Sequence, residues 1–438
     1  MSSTLAEALT EDRIEFDELH DRYQPVLAMV KILIGVVPNC DPYLEIWPPG
    51  FRTYNLMVPN FLNLPAGLIG TGAPKDIIGL TLYASSRAAS CAYCSAHTCS
   101  FALRRGSSPD AVTATARTEP EAAATAVAEA LSTMPHHYTT DLGEELKRQF
   151  SAADAEWVVM GAAMMGFLNK FMDAMGVELE PEAVADAADL IGPTGWSVGQ
   201  HGWADENLGN SDGADGDSAD GDSGDTADGD NGDDELPPTD TIGSLLRVFR
   251  NAPGAVRLDR RWTDGMPKGA DKAHRLIAET YGYDEPVLMA MAHAKPRRAL
   301  TAMLRHNLDP DQSVVGVGVK ALAGLVFANH AANEPLADRA RALATHHGIS
   351  EEAIAAADGL DVAPASVESL DALDRLDDAT KATLALAQAI SPSPAAVDQS
   401  VIDGALAAIS SAQIVEIVVW VSVCQLIHRL SVYYQLAG

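Results

Sequence analysis

Apolar residues recur at helical spacing through most of this 438-residue chain, and this pattern limits its fold more than any other feature. Alanine, leucine, methionine and glutamate are abundant, whereas alternating runs of β-branched residues are scarce. Prolines and serines stand where helices should begin, and Gly106 stands where one should end. Because 47% of the residues are hydrophobic, the helices can bury a sizeable core. We therefore predict an all-α protein.

The first half of the chain divides into helical stretches separated by proline, glycine and serine. Residues 39–74 contain several prolines, which predict a loop-rich segment. The predicted helices of this half are 11–37, 74–105, 109–118, 120–132, 141–150 and 152–176.

An acidic segment of low complexity interrupts the helical pattern. Residues 205–235 consist mainly of aspartate, glycine, serine and asparagine, with no lysine or arginine. Such a composition cannot bury enough apolar surface to offset the entropy of ordering, so we predict a disordered linker. Calcium binding is the alternative, but the segment lacks a loop with a glutamate at its twelfth position. The predicted domains are an N-terminal helical arm 1–50, a first repeat 51–190, the linker 200–240 and a second repeat 241–438.

The stretches on the two sides of this linker are similar to each other. Residues 105–112 resemble 347–354, and residues 151–159 resemble 411–419, where a long apolar helix begins in each half. This similarity predicts an internal duplication.

The balance of charge limits the partners and the environment. The net charge is −31 and the isoelectric point about 4.5, so attraction to nucleic acid is disfavoured. Dense carboxylates with few lysines are typical of proteins from extreme halophiles, which work in multi-molar salt. The N-terminus shows neither a basic region nor an apolar signal core, and no long uninterrupted apolar run predicts a membrane span. We expect a cytoplasmic protein.

Three of the five cysteines lie within nine residues. Cys91 and Cys94 have C-x-x-C spacing, His97 follows three residues later, and Cys99 comes next. If Ser90 caps a helix, the first three form a stripe near its N-terminus, where the helix dipole lowers a thiol pKa. Such a pair can close and open a disulfide, which predicts thiol redox chemistry.

Two further roles for this cluster remain open. A zinc site made from the same four side chains is disfavoured, because four ligands on one short helix cannot readily surround a metal. Chemically inert core cysteines are the other alternative, and they suit Cys40, Cys99 and Cys424 well. If the halves are duplicated, Cys91 and Cys94 correspond to Asn333 and Leu336, so the second repeat has lost the thiols and is expected to be structural.

The motif Cys91-Ala-Tyr-Cys94-Ser-Ala-His97-Thr98 and its flanks resemble the carboxymuconolactone decarboxylase/alkylhydroperoxidase D-like superfamily. Residues 166–180 are similar to the helix that closes the domain in the peroxidase-related branch. The resemblance covers residues 50–185 well and 285–438 weakly. It implies an all-α fold of two such repeats, the second degenerate, and assembly into homo-oligomers.

The resemblance also implies a thiol peroxidase that reduces hydroperoxides, with neither a cofactor nor a metal. Cys94 would be the buried thiol that attacks the peroxide, and Cys91 a more exposed resolving thiol, restored by an external dithiol or disulfide reductase. His97 would activate the thiol, and Tyr93 would shape the pocket. The methionine-rich helix at 160–175 would serve the core and could also line a site for an apolar hydroperoxide.

Two positions depart from the family pattern. The family's usual relay glutamate is replaced by Gly79, for which Asp76 could substitute, and the usual relay histidine is replaced by Thr98, with His97 one residue earlier. A branch with a Cys-x-x-Cys-x-x-His-Thr pattern is closer to this chain, whereas decarboxylase activity is disfavoured. The alternatives are a protein disulfide reductase and a non-catalytic assembly module.

Overall fold

The computed structural model describes residues 4–204, 242–360 and 376–436. These residues form twenty-one α-helices, and the only extended pairing among them is one isolated bridge between Leu179 and Trp203. The predicted all-α class is confirmed. The predicted linker at 205–235 lies outside the described residues.

The helices in residues 4–204 are α1 Leu5–Ala8, α2 Phe16–Ile34, α3 Asp41–Leu44, α4 Pro48–Phe61, α5 Lys75–Ala88, α6 Ala92–Arg104, α7 Pro109–Val112, α8 Glu119–Ser132, α9 Thr140–Gln149, α10 Ala152–Met175 and α11 Pro181–Ile191. Short 3₁₀ turns lie at Thr10–Asp12, Ala66–Ile69, Gly192–Thr194 and Gly199–His201. The helices in residues 242–436 that the structure describes are α12 Ile242–Trp262, α13 Ala270–Tyr281, α14 Val287–Ala290, α15 Ala294–Leu308, α16 Val317–His330, α17 Glu334–His346, α18 Glu351–Asp358, α19 Asp378–Ile390, α20 Gln399–Ala408 and α21 Ser411–Tyr433.

The predicted loop at 39–74 was wrong in its middle, where α4 is a helix of 14 residues. Pro48 and Pro49 occupy its first turn, where the backbone N–H groups have no helical partner and proline is tolerated. Phe51 and Phe61 on this helix are buried in the core. Prolines that suggested a loop therefore mark the start of a buried helix.

The predicted helix at 74–105 is divided in two. Ser90 has a φ of 59°, in the left-handed region, and this reverses the chain between α5 and α6. The two helices pack against each other as a hairpin. As a result, the cysteine motif begins at a sharp turn and not within a continuous helix.

Two long helices form the centre of the core. α10 and α21 pack along each other, and almost all their residues are buried, which agrees with sequences that are apolar on every side. Within the described residues, α21 is the one helix long and apolar enough to cross a membrane, and every residue of its most apolar window is buried inside the protein. Such burial is also what the core helix of a soluble protein shows.

Six helices of the second half repeat the spacing of six helices in the first half. α16, α17 and α18 begin 242 positions after α5, α6 and α7, respectively. α19, α20 and α21 begin 259 positions after α8, α9 and α10, respectively. Ser151 and Ser410, which cap α10 and α21, are one such pair.

Two buried cations join the halves. Arg429 on α21 donates to Ser85 Oγ and to the Ala162 carbonyl, both at 2.7 Å. Lys170 on α10 donates to the Ser391 carbonyl, also at 2.7 Å. Burial lowers the pKa of Lys170 to about 7 and that of Arg429 to about 9. These bonds satisfy groups that would otherwise be costly to bury, and they join α10 to α21 through Arg429 and α10 to the end of α19 through Lys170.

Candidate active site

The cysteine pair lies at the turn between α5 and α6. Cys91 has extended backbone angles and is the N-cap of α6, and its sulfur accepts the backbone N–H of Cys94 at 3.3 Å. A thiol thus takes the capping position that serine or aspartate usually occupies. Its Sγ is thereby held at the N-terminal end of α6, beside the backbone of Cys94.

The two thiols are both buried and unpaired, but not in the order that the family resemblance implies. Cys91 has an exposed fraction of 0% and Cys94 of 4%. The expectation of a more exposed Cys91 was wrong, because residues after α11 cover it. Trp196 donates its indole N–H to the Ala92 carbonyl at 3.0 Å, and His201 lies against Cys91.

Burial also determines the acidity of the pair. It raises the pKa of Cys91 well above its ordinary value and also raises that of Cys94, although the hydrogen bond with Cys91 lowers the latter. Desolvation of a thiolate therefore outweighs the helix N-terminus, which we expected to lower both values. A reaction at Cys94 thus requires a nearby group that accepts its proton.

A small apolar cavity of about 100 Å³ opens onto Cys94 but not onto Cys91. The polar side chains in its wall are those of Tyr54, Tyr93, His97 and Thr98. Three methionines of the helix at 160–175 line this cavity: Met164, Met165 and Met172. The apolar lining residues are Val30, Leu33, Ile34, Pro38, Val58, Leu62, Leu82, Phe101, Met164, Met165, Leu168 and Met172.

His97 is bonded to a glutamate that sequence reasoning missed. Its Nε2 lies 2.7 Å from Glu180 Oε2, and Glu180 is fully buried. The other carboxylate oxygen accepts the Tyr93 hydroxyl at 2.8 Å and the backbone N–H of Asn39 at 2.5 Å. Three donors thus converge on one carboxylate, which orients the imidazole at the cavity wall. Glu180 precedes α11 at the end of the stretch 166–180, and sequence reasoning gave it no role in the site.

Asp76 does not reach this site. It lies in the first turn of α5, and Cys91 follows the other end of that helix, about 20 Å away for 14 residues. The Asp76 carbonyl accepts Ser107 Oγ at the far end of the hairpin. The predicted relay role of Asp76 was therefore wrong.

The position of Gly79 cannot hold a glutamate either. A Cβ atom at Gly79 would lie 2.7 Å from the Cα atom of Ala102, because α5 and α6 touch there through their backbones.

A second polar cluster lies behind Cys91. The ligand atoms of Cys91, Asp173 and His201 all lie within 4.8 Å of one another, and all three residues are buried. His201 Nδ1 lies 2.9 Å from the Val177 carbonyl and Nε2 lies 3.1 Å from Asp173 Oδ1. Burial lowers the pKa of His201, but hydrogen bonds to Asp173 and Cys91 outweigh this effect and raise the pKa to about 10. These three side chains could hold a metal ion. Sequence reasoning missed the cluster and assigned position 201 to the linker.

Comparisons with known proteins give distant likenesses only. No family model and no curated protein matches this chain. Among solved structures, the apo debrominase Bmp8 is 25% identical with a TM-score of 0.37, over 41% of this chain and 96% of that one. A Bmp8 variant in complex with 2,3,4-tribromopyrrole is 24% identical with the same TM-score, over 41% of this chain and 95% of that one.

Proposed function

We propose that this protein is a thiol peroxidase that reduces small hydroperoxides through a Cys91–Cys94 dithiol/disulfide cycle. The observation that carries this proposal is that Cys94 faces a small apolar cavity whose wall also holds His97, bonded to the buried Glu180. A nucleophile, a proton carrier and a water-poor pocket are what the reaction needs.

The oxidative half of the cycle takes place at Cys94. His97 accepts the thiol proton, and the thiolate attacks the terminal peroxide oxygen while the O–O bond breaks. The electron pair of that bond leaves on the alkoxide, which takes a proton from His97 and departs as the alcohol. Cys94 becomes a sulfenic acid, and Cys91 condenses with it to give the disulfide and water.

The reductive half of the cycle also takes place at Cys94. Because the cavity opens onto this sulfur and Cys91 is fully buried, an external dithiol would attack Cys94 and expel Cys91 as the leaving thiolate. In this cycle the reductant therefore reacts with Cys94, whereas the family resemblance implies that it reacts with Cys91. Burial of both sulfurs favours small substrates over the alternative of a protein disulfide.

We infer that the second half of the chain has a structural and not a catalytic role. Its helices follow the register of the first half, and Asn333 caps α17 by accepting the Leu336 N–H at 3.1 Å, as Cys91 caps α6. We infer an internal duplication within the alkylhydroperoxidase D-like superfamily, with the thiols lost from the second copy. A salt-adapted, cytoplasmic homo-oligomer without a membrane or nucleic-acid partner fits the acidic composition.

Peroxide consumption by the reduced protein in multi-molar KCl tests the proposal. We expect turnover with a dithiol as reductant, and loss of turnover in both Cys94→Ser and Cys91→Ser. Cys99→Ser is the matched control, since Cys99 is equally buried on the same helix and lies outside the cavity. Wild-type protein that consumes no peroxide would leave the disulfide-reductase and assembly-module alternatives, and a Cys94→Ser variant that still consumes it would overturn the role of Cys94.

A further inference from the structure

The cluster of Cys91, Asp173 and His201 has a chemistry that the peroxidase cycle does not use. Its three side chains come from separate elements: the N-cap of α6, the last turns of α10 and the 3₁₀ turn Gly199–His201. Their exposed fractions are 0%, 5% and 2%. A carboxylate and an imidazole buried this deeply require a partner of opposite charge or a hydrogen-bond donor.

The hydrogen bonds of His201 orient its second ring nitrogen into this cluster. Nδ1 faces the Val177 carbonyl at 2.9 Å, an acceptor only, so Nδ1 carries a proton. In the neutral ring the lone pair is then on Nε2, 3.1 Å from Asp173 Oδ1. Two acceptors this close require a proton or a metal ion between them. The bond from Nδ1 to a carbonyl is the usual arrangement that orients a histidine toward a metal.

We propose that Cys91, Asp173 and His201 bind a zinc-type divalent cation when Cys91 is reduced. One sulfur, one nitrogen and one oxygen are a donor set that favours zinc over magnesium or calcium. Tetrahedral zinc with bonds of about 2.0–2.3 Å places its ligands roughly 3.3–3.8 Å apart, within the 4.8 Å that bounds the separations in this cluster. A proton alone would join His201 to Asp173, whereas a metal ion engages all three atoms.

This arrangement also removes the objection to a zinc site in the cysteine motif. The objection was that four ligands on one short helix cannot surround an ion. Here only Cys91 comes from the motif, and Asp173 and His201 approach from outside the helix. Three protein ligands leave a fourth tetrahedral position for water or for another ligand.

Metal binding and the disulfide exclude each other, because both need the Cys91 sulfur. Binding releases the thiol proton of Cys91 and the proton that His201 Nε2 shares with Asp173. Oxidation then converts the zinc-bound Cys91 thiolate, the Cys94 thiol and a hydroperoxide into the disulfide, free zinc, the alcohol and hydroxide. The site would therefore release its metal when the pair is oxidised and protect the reduced pair when metal is abundant. This coupling rests on the proposed disulfide cycle, whereas the metal binding does not.

The test measures metal on the full-length reduced protein without any peroxide. The protein is stripped with a chelator, equilibrated with zinc or cobalt(II), freed of unbound metal and assayed by elemental mass spectrometry. We expect one ion per chain and, with cobalt, a sulfur-to-metal charge-transfer band. Cys91→Ser should remove that band, and Asp173→Asn or His201→Gln should weaken binding by more than the roughly 10–100-fold that loss of a ligand's hydrogen-bond partner costs.

The control and the contrary outcomes are equally specific. Cys99→Ser should bind like the wild type, and closing the disulfide with diamide should release the ion. Failure of the reduced wild type to bind metal, or binding that survives all three ligand substitutions, would overturn the metal site. Metal retained by the diamide-treated protein would overturn the coupling. None of these outcomes depends on peroxide turnover, so the peroxidase proposal stands or fails separately.

Discussion

Glu180 Oε2 lies 2.7 Å from His97 Nε2, although the two residues are 83 positions apart in the sequence. The same carboxylate accepts the hydroxyl of Tyr93 and the backbone N–H of Asn39. A loop before α11 thus completes a site that begins at the N-terminus of α6. If the protein is a peroxidase, this pair is its proton carrier.

Replacing Glu180 with glutamine should impair turnover far more than it impairs folding. The glutamine amide accepts hydrogen bonds through its oxygen only. Its NH₂ group therefore faces one of the groups that donate to the Glu180 carboxylate, and His97 loses its orientation. We expect kcat/KM for hydroperoxide to fall about 10²–10⁴-fold, the usual contribution of a positioned acid–base group. Glu178→Gln, an exposed neighbour, is the control. Wild-type kcat/KM in folded Glu180→Gln protein would exclude the relay.

The close contact of α5 and α6 predicts unequal effects of two glycine substitutions. Gly79→Ala places a Cβ atom 2.7 Å from the Cα of Ala102, so the helices must separate, at a cost of about 1–3 kcal/mol. Gly404→Ala, within α20, meets no atom within 4 Å and should stabilise the protein by up to about 1 kcal/mol. Denaturant unfolding in high salt measures both. Equal changes in the free energy of unfolding for the two variants would show that α5 and α6 separate at Gly79 at little cost.

A buried carboxyl should make the protein less stable as the pH rises. Desolvation, together with the charges of Glu180 and Glu45, raises the pKa of Asp41 from 3.8 to about 8. Between these two values the native state holds a proton that the unfolded chain has released, so this group lowers the free energy of unfolding as the pH increases from about 4 to about 8.

Asp41→Asn should therefore flatten this dependence and make the protein more stable than the wild type near pH 8. The check is denaturant unfolding at several pH values, with the exposed Asp141→Asn as the control. A variant that keeps the wild-type slope over this interval would mean that Asp41 does not hold the proton.

The size of the cavity should determine which peroxides react. Leu168 is half-buried in its wall, and Leu168→Trp would fill much of the volume of about 100 Å³. We expect kcat/KM for cumene hydroperoxide to fall by a larger factor than kcat/KM for hydrogen peroxide. Leu103→Trp, on a half-buried leucine outside this wall, controls for an overpacking cost of about 1–3 kcal/mol. Equal losses for the two peroxides would mean that substrate arrives by another path.

Sequence reasoning found the parts of the site that lie close together in the chain. Cys91, Cys94 and His97 occur within seven residues, and helical spacing by itself places them on neighbouring turns. It missed Asp173, Glu180 and His201, which stand at the end of a helix or in short connections without periodicity. Their distances to the cysteines depend on how α10 and the residues after it fold back over α6.

The helical class follows from the sequence because the spacing of apolar residues is a local property, and capping residues such as Ser151 and Ser410 mark helix starts by local hydrogen bonds. The similarity of 105–112 to 347–354 gave the offset of 242 that the helices show, whereas the match of 151–159 to 411–419 was one residue out of register. The burial of individual residues could not be predicted from the sequence, because it depends on which distant elements cover each residue. Only the tertiary structure therefore decided that Cys91 is covered while Cys94 faces a cavity, and that desolvation raises the pKa of both thiols against the effect of the helix N-terminus.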